Sequence, residues 1–251
     1  MSGYGFVGTG EITAAIVTGL DGADPVYLSP RGREIGQALA ERFPNVQVCG
    51  SNQEVLDRAE TVVLAVRPQV VRAVLEELTF GPQHVVISAV AAVRLDRLRE
   101  WAAPATRVVR SIPLPQAERR QSRTVAYPDD AAARRLFEPL GGLVVPDDEA
   151  GLEAFSAATA TFAAHLDYLA TIAGWMGEHG VDPDAASAYL THVFGQLGQS
   201  LSAGSGALAE LTARHTTPGG INEQLMTDLR RDGVPDTVRR ALDAVLDRVR
   251  G

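Results

Sequence analysis

Hydrophobic positions along this chain follow one rhythm up to residue 147 and another beyond it. In the first part, short apolar runs at residues 5–7, 26–28, 46–49, 61–66, 85–88, 106–110, 124–126 and 143–145 read as strands. Between most of them apolar residues recur at helical spacing, as at 32–42, 53–57, 68–77 and 131–137. This alternation predicts an α/β fold with a mainly parallel sheet and helices on both faces, the later strands turning antiparallel at one edge.

The second part carries no comparable strands. Residues 153–175 form a long Ala-rich stretch with Leu, Ile, Phe and Tyr at helical spacings. Further helices are expected at 183–201, 207–214, 220–231 and 235–249. Asp182 at an N-cap with Pro183 behind it marks one start. Asp236 near the beginning of the last helix and Arg248 and Arg250 near its end match the helix dipole. An all-helical unit of about 100 residues is small for a private core, and its longest helices carry apolar residues on more than one face. The expected organisation is therefore residues 1–147 as one domain and 148–251 as a helical dimerisation domain, in which helices of two subunits pack together. No internal repeat or low-complexity segment interrupts this plan.

The first apolar run ends in Gly8-Thr9-Gly10 and opens directly into a helical stretch. A strand that turns through Gly-x-Gly into a helix presents free backbone N–H groups and a positive dipole end to an anion. This is the fingerprint of a dinucleotide-binding, Rossmann-type unit. Thr13 stands where a third Gly or Ala is usual. The second strand, residues 26–28, ends about 20 residues past the glycines, where the ribose is recognised. NAD enzymes usually place an acid there. This chain reads Ser29-Pro30-Arg31-Gly32-Arg33, a hydroxyl and two guanidinium groups that suit a 2′-phosphate. NADP is the expected cofactor.

Charge and composition narrow the field. A net charge of −8 argues against nucleic acid or an anionic membrane as the main partner. No apolar run approaches the ~18 residues of a membrane span, and Met1-Ser2-Gly3 leads straight into the first strand, so no signal peptide is expected. Cys49 is the only cysteine, which excludes an internal disulfide and a Cys-rich metal site and fits a reducing cytoplasm. All 23 basic residues are arginine. Schiff-base, pyridoxal-phosphate and P-loop chemistry, all of which need lysine, are excluded. Hydride transfer survives, because the cofactor carries the hard chemistry.

In order along the chain, several motifs resemble those of the pyrroline-5-carboxylate reductase family. Residues 5–12, Gly-Phe-Val-Gly-Thr-Gly-Glu-Ile, resemble its opening loop. Ser51-Asn52 resembles its Asn before the third helix, and residues 64–69, Leu-Ala-Val-Arg-Pro-Gln, its Leu-Ala-Val-Lys-Pro-Gln. Residues 86–93, Val-Ile-Ser-Ala-Val-Ala-Ala-Val, resemble its Val-Ile-Ser…Ala-Gly-Val, and residues 216–222, Thr-Thr-Pro-Gly-Gly-Ile-Asn, its Thr-Ser-Pro-Gly-Gly-Thr-Thr loop. The resemblance covers nearly the whole chain. It implies that Gly8, Thr9, Gly10, Glu11, Ile12, Ser29, Arg31, Asn52, Ala65, Val66, Arg67 and Pro68 meet the cofactor. It further implies that Thr217, Pro218, Gly219 and Gly220 meet the substrate.

Departures concentrate where that family handles its substrate. Its Met-Pro-Asn-Thr-Pro is Ile112-Pro113-Leu114-Pro115-Gln116 in this chain. Its Ser-Gly-Ser-Gly-Pro-Ala-Tyr is replaced by residues 159–165, which put His165 at the Tyr position. The expectation is an NADP-dependent reduction of a small cyclic imine other than the family's own. An imine attacked as its protonated iminium needs positioning and water exclusion more than an acid. Reduction of a carbonyl acid would need a proton donor. Without lysine, that role falls to a histidine, and His165 is the candidate. Asn222 is the expected polar partner of the substrate's anionic or polar end at the Pro218-Gly219-Gly220 turn. His84 reads as a surface residue, His179 as a helix-end cap and His192 as packing. A nucleotide-binding dimer that holds NADP without turnover is the remaining alternative.

Overall fold

A computed structural model describes residues 3–204 and 207–250. The alternating first part forms an eight-stranded sheet in the order β3-β2-β1-β4-β5-β6-β7-β8. The strands are β1 (Tyr4–Val7), β2 (Val26–Leu28), β3 (Val46–Val48), β4 (Thr61–Leu64), β5 (Val85–Ser88), β6 (Arg107–Ile112), β7 (Thr124–Tyr127) and β8 (Leu143–Val144). All pairs are parallel except β6 with β7. The helices between them are α1 (Glu11–Leu20), α2 (Arg33–Arg42), α3 (Asn52–Arg58), α4 (Pro68–Glu76), α5 (Leu95–Trp101) and α6 (Ala131–Phe137).

Side chains alternate across a strand, and the two faces are covered separately. On β4, Val63 packs with Phe6, Ile16, Leu28 and Ile87 under one layer of helices. Its neighbours Val62 and Leu64 pack with Val55, Val71, Leu75 and Leu98 under the other. Both faces being buried explains why the central strands read as continuous apolar runs. The sheet order reverses at β1, so the crevice beyond the carboxyl ends of β1 and β4 is the expected ligand position.

His84 corrects the sequence expectation of a surface residue, for it is 5% exposed. Nδ1 accepts from the Gly81 N–H at 2.8 Å, and Nε2 lies 3.1 Å from the Leu56 carbonyl. With both ring nitrogens partnered, burial is tolerated.

The described chain forms two compact units: residues 1–156 with 246–251, and residues 157–245. The change of sequence pattern at 147/148 precedes this division in space, because α7 (Glu149–Thr159) begins within the first unit with Leu152 and Glu153 buried. The stretch expected as one helix over 153–175 is two, α7 and α8 (Thr161–Glu178), separated at Ala160. The remaining helices are α9 (Pro183–Ala203), α10 (Leu208–Arg214), α11 (Ile221–Arg231) and α12 (Val234–Arg250). Neither α8, α10 nor α11 holds a buried residue. Phe162, Leu166, Trp175 and Tyr189 are each about 60% exposed. Among the described residues, these apolar side chains of α8 and α9 are left largely uncovered.

Candidate active site

The glycine turn after β1 is held by a set of short contacts. Gly8 has φ +103°, and an added Cβ there would collide with the Ala65 carbonyl at the end of β4. Only glycine meets both conditions. The Gly8 N–H donates to Ser29 Oγ at 2.9 Å, and Thr9 Oγ1 donates to the Ser29 carbonyl at 3.0 Å. Thr13, the departure from the usual third small residue, is fully buried and donates its hydroxyl to the Gly8 carbonyl at 2.7 Å. The larger residue thus fastens the turn it enters. Gly32 has φ +85°, and a Cβ there would strike the Thr9 carbonyl, so the Arg31-Gly32 corner sits directly on the turn.

Beyond these contacts the turn is open. A Cβ at Gly10 would meet nothing within 4 Å. Gly10 is the N-cap of α1 and has no side-chain cap, so the first-turn N–H groups of α1 are available to an anion. Gly8, Thr9, Gly10, Arg31, Ala65, Val66 and Arg67 line one cleft with Gly32 and Val70. Arg31 and Arg67 are exposed on it. A backbone turn without side chains, an uncapped helix start and two arginines fit a phosphorylated dinucleotide.

The other expected cofactor residues take different positions. Ser29 is 1% exposed and spends its hydroxyl on the turn, so it holds Gly8 and Thr9 in place. Glu11 is exposed in the first turn of α1, and Pro68 opens α4 after Arg67, its N-cap. Asn52 is the first residue of α3, whose cap is Ser51, accepting from the Glu54 N–H at 3.1 Å.

Ile12 lines a second, more enclosed cavity with residues 89–91 after β5, residues 110–113 at the end of β6, and Leu152 and Ser156 of α7. Its walls are aliphatic apart from Arg110, Ser111 and Ser156. Ser111 donates its hydroxyl to the Ser88 carbonyl at 3.1 Å. Arg110 is 3% exposed. Its Nη1 lies 2.6 Å from Glu149 Oε1 and 3.7 Å from Glu153 Oε1, while its Nε is enclosed without a partner. Arg94 and Arg250 join the cluster, at 3.6 Å and 3.1 Å from Glu153. Sequence reasoning missed this cluster. Its oppositely charged partners lie 39 or more residues apart, and the one local signal was an arginine inside an otherwise apolar strand.

In the helical unit, Gly219 has φ +73° at the turn that opens α11. The Gly219 N–H donates to Glu223 Oε2 at 2.7 Å, and the Gly220 N–H donates to the Thr217 carbonyl at 2.9 Å. Thr217 and Pro218 are exposed. Asn222 donates its amide to the His215 carbonyl at 2.9 Å, closing the loop on itself. Asn222 and His215 line an apolar groove with Phe194. His165 is exposed, with its ring edge-on to Phe194 at 6.0 Å and stacked on Tyr168 at 6.4 Å. His179 lies at a helix end with Nδ1 2.8 Å from the Trp175 carbonyl, as a cap would.

Together, the turn at the sheet's switch point, the cationic cleft and the adjoining aliphatic cavity define a nucleotide-dependent oxidoreductase with an appended helical domain. Residues 3–92 match the family described as NADP oxidoreductase coenzyme F420-dependent, and residues 149–251 match that described as pyrroline-5-carboxylate reductase dimerisation. Over nearly its whole length the chain is similar to pyrroline-5-carboxylate reductases. It is 27% identical to pyrroline-5-carboxylate reductase of Pseudomonas aeruginosa, over 97% of this chain and 94% of that one. It is also 27% identical to that of Corynebacterium melassecola, over 99% and 97%. The fold is shared with 1-pyrroline-5-carboxylate reductase from Streptococcus pyogenes, at TM-score 0.84 and 23% identity over 98% of this chain and 97% of that one. It is shared too with a Plasmodium falciparum pyrroline carboxylate reductase solved with NADP bound, at TM-score 0.78 and 15% identity over 99% and 97%.

Proposed function

We propose that the protein uses NADPH to reduce a small cyclic imine that is not the family's usual substrate. The observation that carries the cofactor choice is the single cleft in which Arg31 and Arg67 flank the open Gly10 end of α1. No acid stands at the end of β2, where it would receive a ribose 2′-hydroxyl. The N–H groups of α1 would take the pyrophosphate, and Arg31 the 2′-phosphate. The NADP bound in the Plasmodium structure supports this reading.

Held by Gly10, Arg31 and Arg67, NADPH would supply the hydride for the carbon of an imine already protonated from water, so that a secondary amine and NADP⁺ would result. The chain's own contribution is position and dryness. Ile12, Val90, Ile112, Pro113 and Leu152 give the cavity beyond β5 and β6 an aliphatic wall that excludes water. No proton donor is needed there, in keeping with a chain without lysine. The altered residues Leu114, Pro115, Ile221 and Asn222 support a changed substrate.

The active form in this reading is a homodimer or larger homo-oligomer in the cytoplasm, joined through the uncovered helical faces. NADPH oxidation measured against a panel of cyclic imines and keto acids tests the proposal. Imine reduction with NADPH favoured over NADH is expected. Turnover of keto acids alone, lost in His165→Ala, would replace it with the carbonyl reading. Binding of NADPH without turnover of any panel member would replace it with the non-catalytic one.

A further inference from the structure

Among the described residues, Glu153 is the only buried carboxylate and Arg110 the only buried guanidinium, each 3% exposed. They are not bonded to one another. Arg110 Nη1 lies 2.6 Å from Glu149 Oε1 and 3.7 Å from Glu153 Oε1, the second distance beyond a hydrogen bond. Arg94 stands 3.6 Å from the same Glu153 oxygen, which has no hydrogen-bond partner among the described residues. The one hydrogen bond that the Glu153 carboxylate receives there comes from the far end of α12: Arg250 Nε donates to Oε2 at 3.1 Å.

Two carboxylates thus compete for Arg110, and Arg250 occupies one of them. A buried carboxylate without a hydrogen bond is strongly disfavoured. Deprived of Arg250, Glu153 would gain by drawing Arg110 Nη1 from 3.7 Å to bonding distance, away from Glu149. That movement would reach the aliphatic cavity, because Arg110 is the only charged residue that lines it. Glu149, Leu152, Glu153 and Ser156 recur along α7 at the spacing of one helix face. The acids that compete for Arg110 and the two α7 residues that wall the cavity therefore share one face. Arg250 does not line the cavity itself. All of these residues belong to the same compact unit.

We infer that Arg250 is a positioning residue for the cavity: by bonding Glu153 it leaves Arg110 on Glu149 and so sets the cavity's one charged wall. The functional weight of this device rests on the reading of the cavity as the place of the imine.

A double-mutant cycle with a thiol reporter tests the inference without any substrate. Ser156→Cys in a Cys49→Ala background puts a single cysteine on the cavity, and its rate of alkylation by iodoacetamide reads the wall. Arg250→Met should raise that rate at least threefold, and Arg250→Lys should restore most of the parent value. Glu153→Gln removes the competing charge, so it should label near the parent rate, alone and together with Arg250→Met. If Arg250→Met does not fold, Arg250→Gln takes its place at this half-exposed site, with the same result expected. With native Ser156 and Cys49, Arg250→Met should raise KM for the best-reduced cyclic imine of the panel about fivefold, with kcat and NADPH affinity within twofold of the parent. A labelling rate unchanged in Arg250→Met would overturn the inference. So would Glu153→Gln loosening the wall as much as Arg250→Met does, for the pair would then be a simple clamp on α7. If the labelling pattern holds while no cyclic imine is reduced, the positioning role stands and the imine-reductase reading fails.

Discussion

Ser29 Oγ accepts the backbone N–H of Gly8 at 2.9 Å, across 21 residues of sequence. The residue that ends β2 therefore fixes the shape of the turn that ends β1. In families with an acid at this strand end, the side chain faces the ribose. In this protein it faces inward, and in the reading proposed above recognition of charge falls to Arg31, two residues along.

Ser29 and Arg31 should consequently separate under mutation. Ser29→Ala leaves the buried Gly8 N–H unpaired, at a cost of about 1–3 kcal/mol. It should weaken NADPH and NADH by similar factors and lower the melting temperature. Arg31→Ala should weaken NADPH about tenfold or more, the worth of a charge-assisted bond to phosphate, and leave NADH nearly unchanged. Fluorescence titration of the two variants with both cofactors makes the comparison. Equal losses in Arg31→Ala would remove it from the 2′-phosphate.

Arg110→Met should be severely destabilising. It removes the guanidinium that lies 2.6 Å from the mostly buried Glu149 and 3.7 Å from the buried Glu153, leaving these carboxylates to the half-exposed Arg94 and Arg250, and breaking a buried pair from one side costs about 3–5 kcal/mol. Replacing Arg110, Glu149 and Glu153 together by apolar residues of similar size should recover much of that loss. Urea unfolding of the single and triple variants decides the matter. A triple variant as weak as the single would show that the cluster does more than satisfy its own charges.

The helical unit should dissociate or misassemble when one uncovered apolar residue is charged. Leu166 is 63% exposed on α8. Leu166→Glu should shift the protein from dimer toward monomer in sedimentation velocity at micromolar concentration, while the sheet domain still binds NADPH. An unaltered oligomer would place the interface on another face.

Alkaline pH should weaken the fold through two buried acids. Burial pushes the Cys49 thiol above its ordinary range, with Glu54 adding to the effect and Arg58 opposing it. Burial also raises the Tyr4 hydroxyl, against the lowering effect of Arg135. Each group binds its proton more tightly when folded. Its stabilisation is complete below the unfolded-state value and is lost as pH rises through the folded value. Unfolding free energy should therefore fall above about pH 9, and less steeply in Cys49→Ala. Thiol reagents should label native Cys49 much more slowly than the unfolded chain. Rapid native labelling would contradict the burial.

The sheet was legible because its signal is local. Both faces of the central strands are buried, so runs such as 61–64 stand out, and Ala131–Phe137 was read to the residue. The cleft at the glycine turn was legible for the same reason: the Gly-x-Gly turn, Arg31 and Arg67 each sit at the end of a recognisable strand. What escaped depends on distant partners. Nothing near Ser29 says that its hydroxyl turns to Gly8, and nothing near His84 says that Leu56 and Gly81 will shelter it. The break at Ala160 escaped because alanine favours helix on both sides of it. Arg110 looked like an oddity in β6 until Glu149 and Glu153 were beside it.

The return of α12 has a consequence for synthesis. Val249 is buried and Arg250 reaches Glu153 at 3.1 Å, so residues 246–250 finish a domain that was begun at β1. A ribosome makes them only after the entire helical unit. Until then the nascent sheet domain holds Glu153 without its last cation. The first domain to be translated is thus among the last to be completed, and its final assembly reports that the helices behind it have already been made.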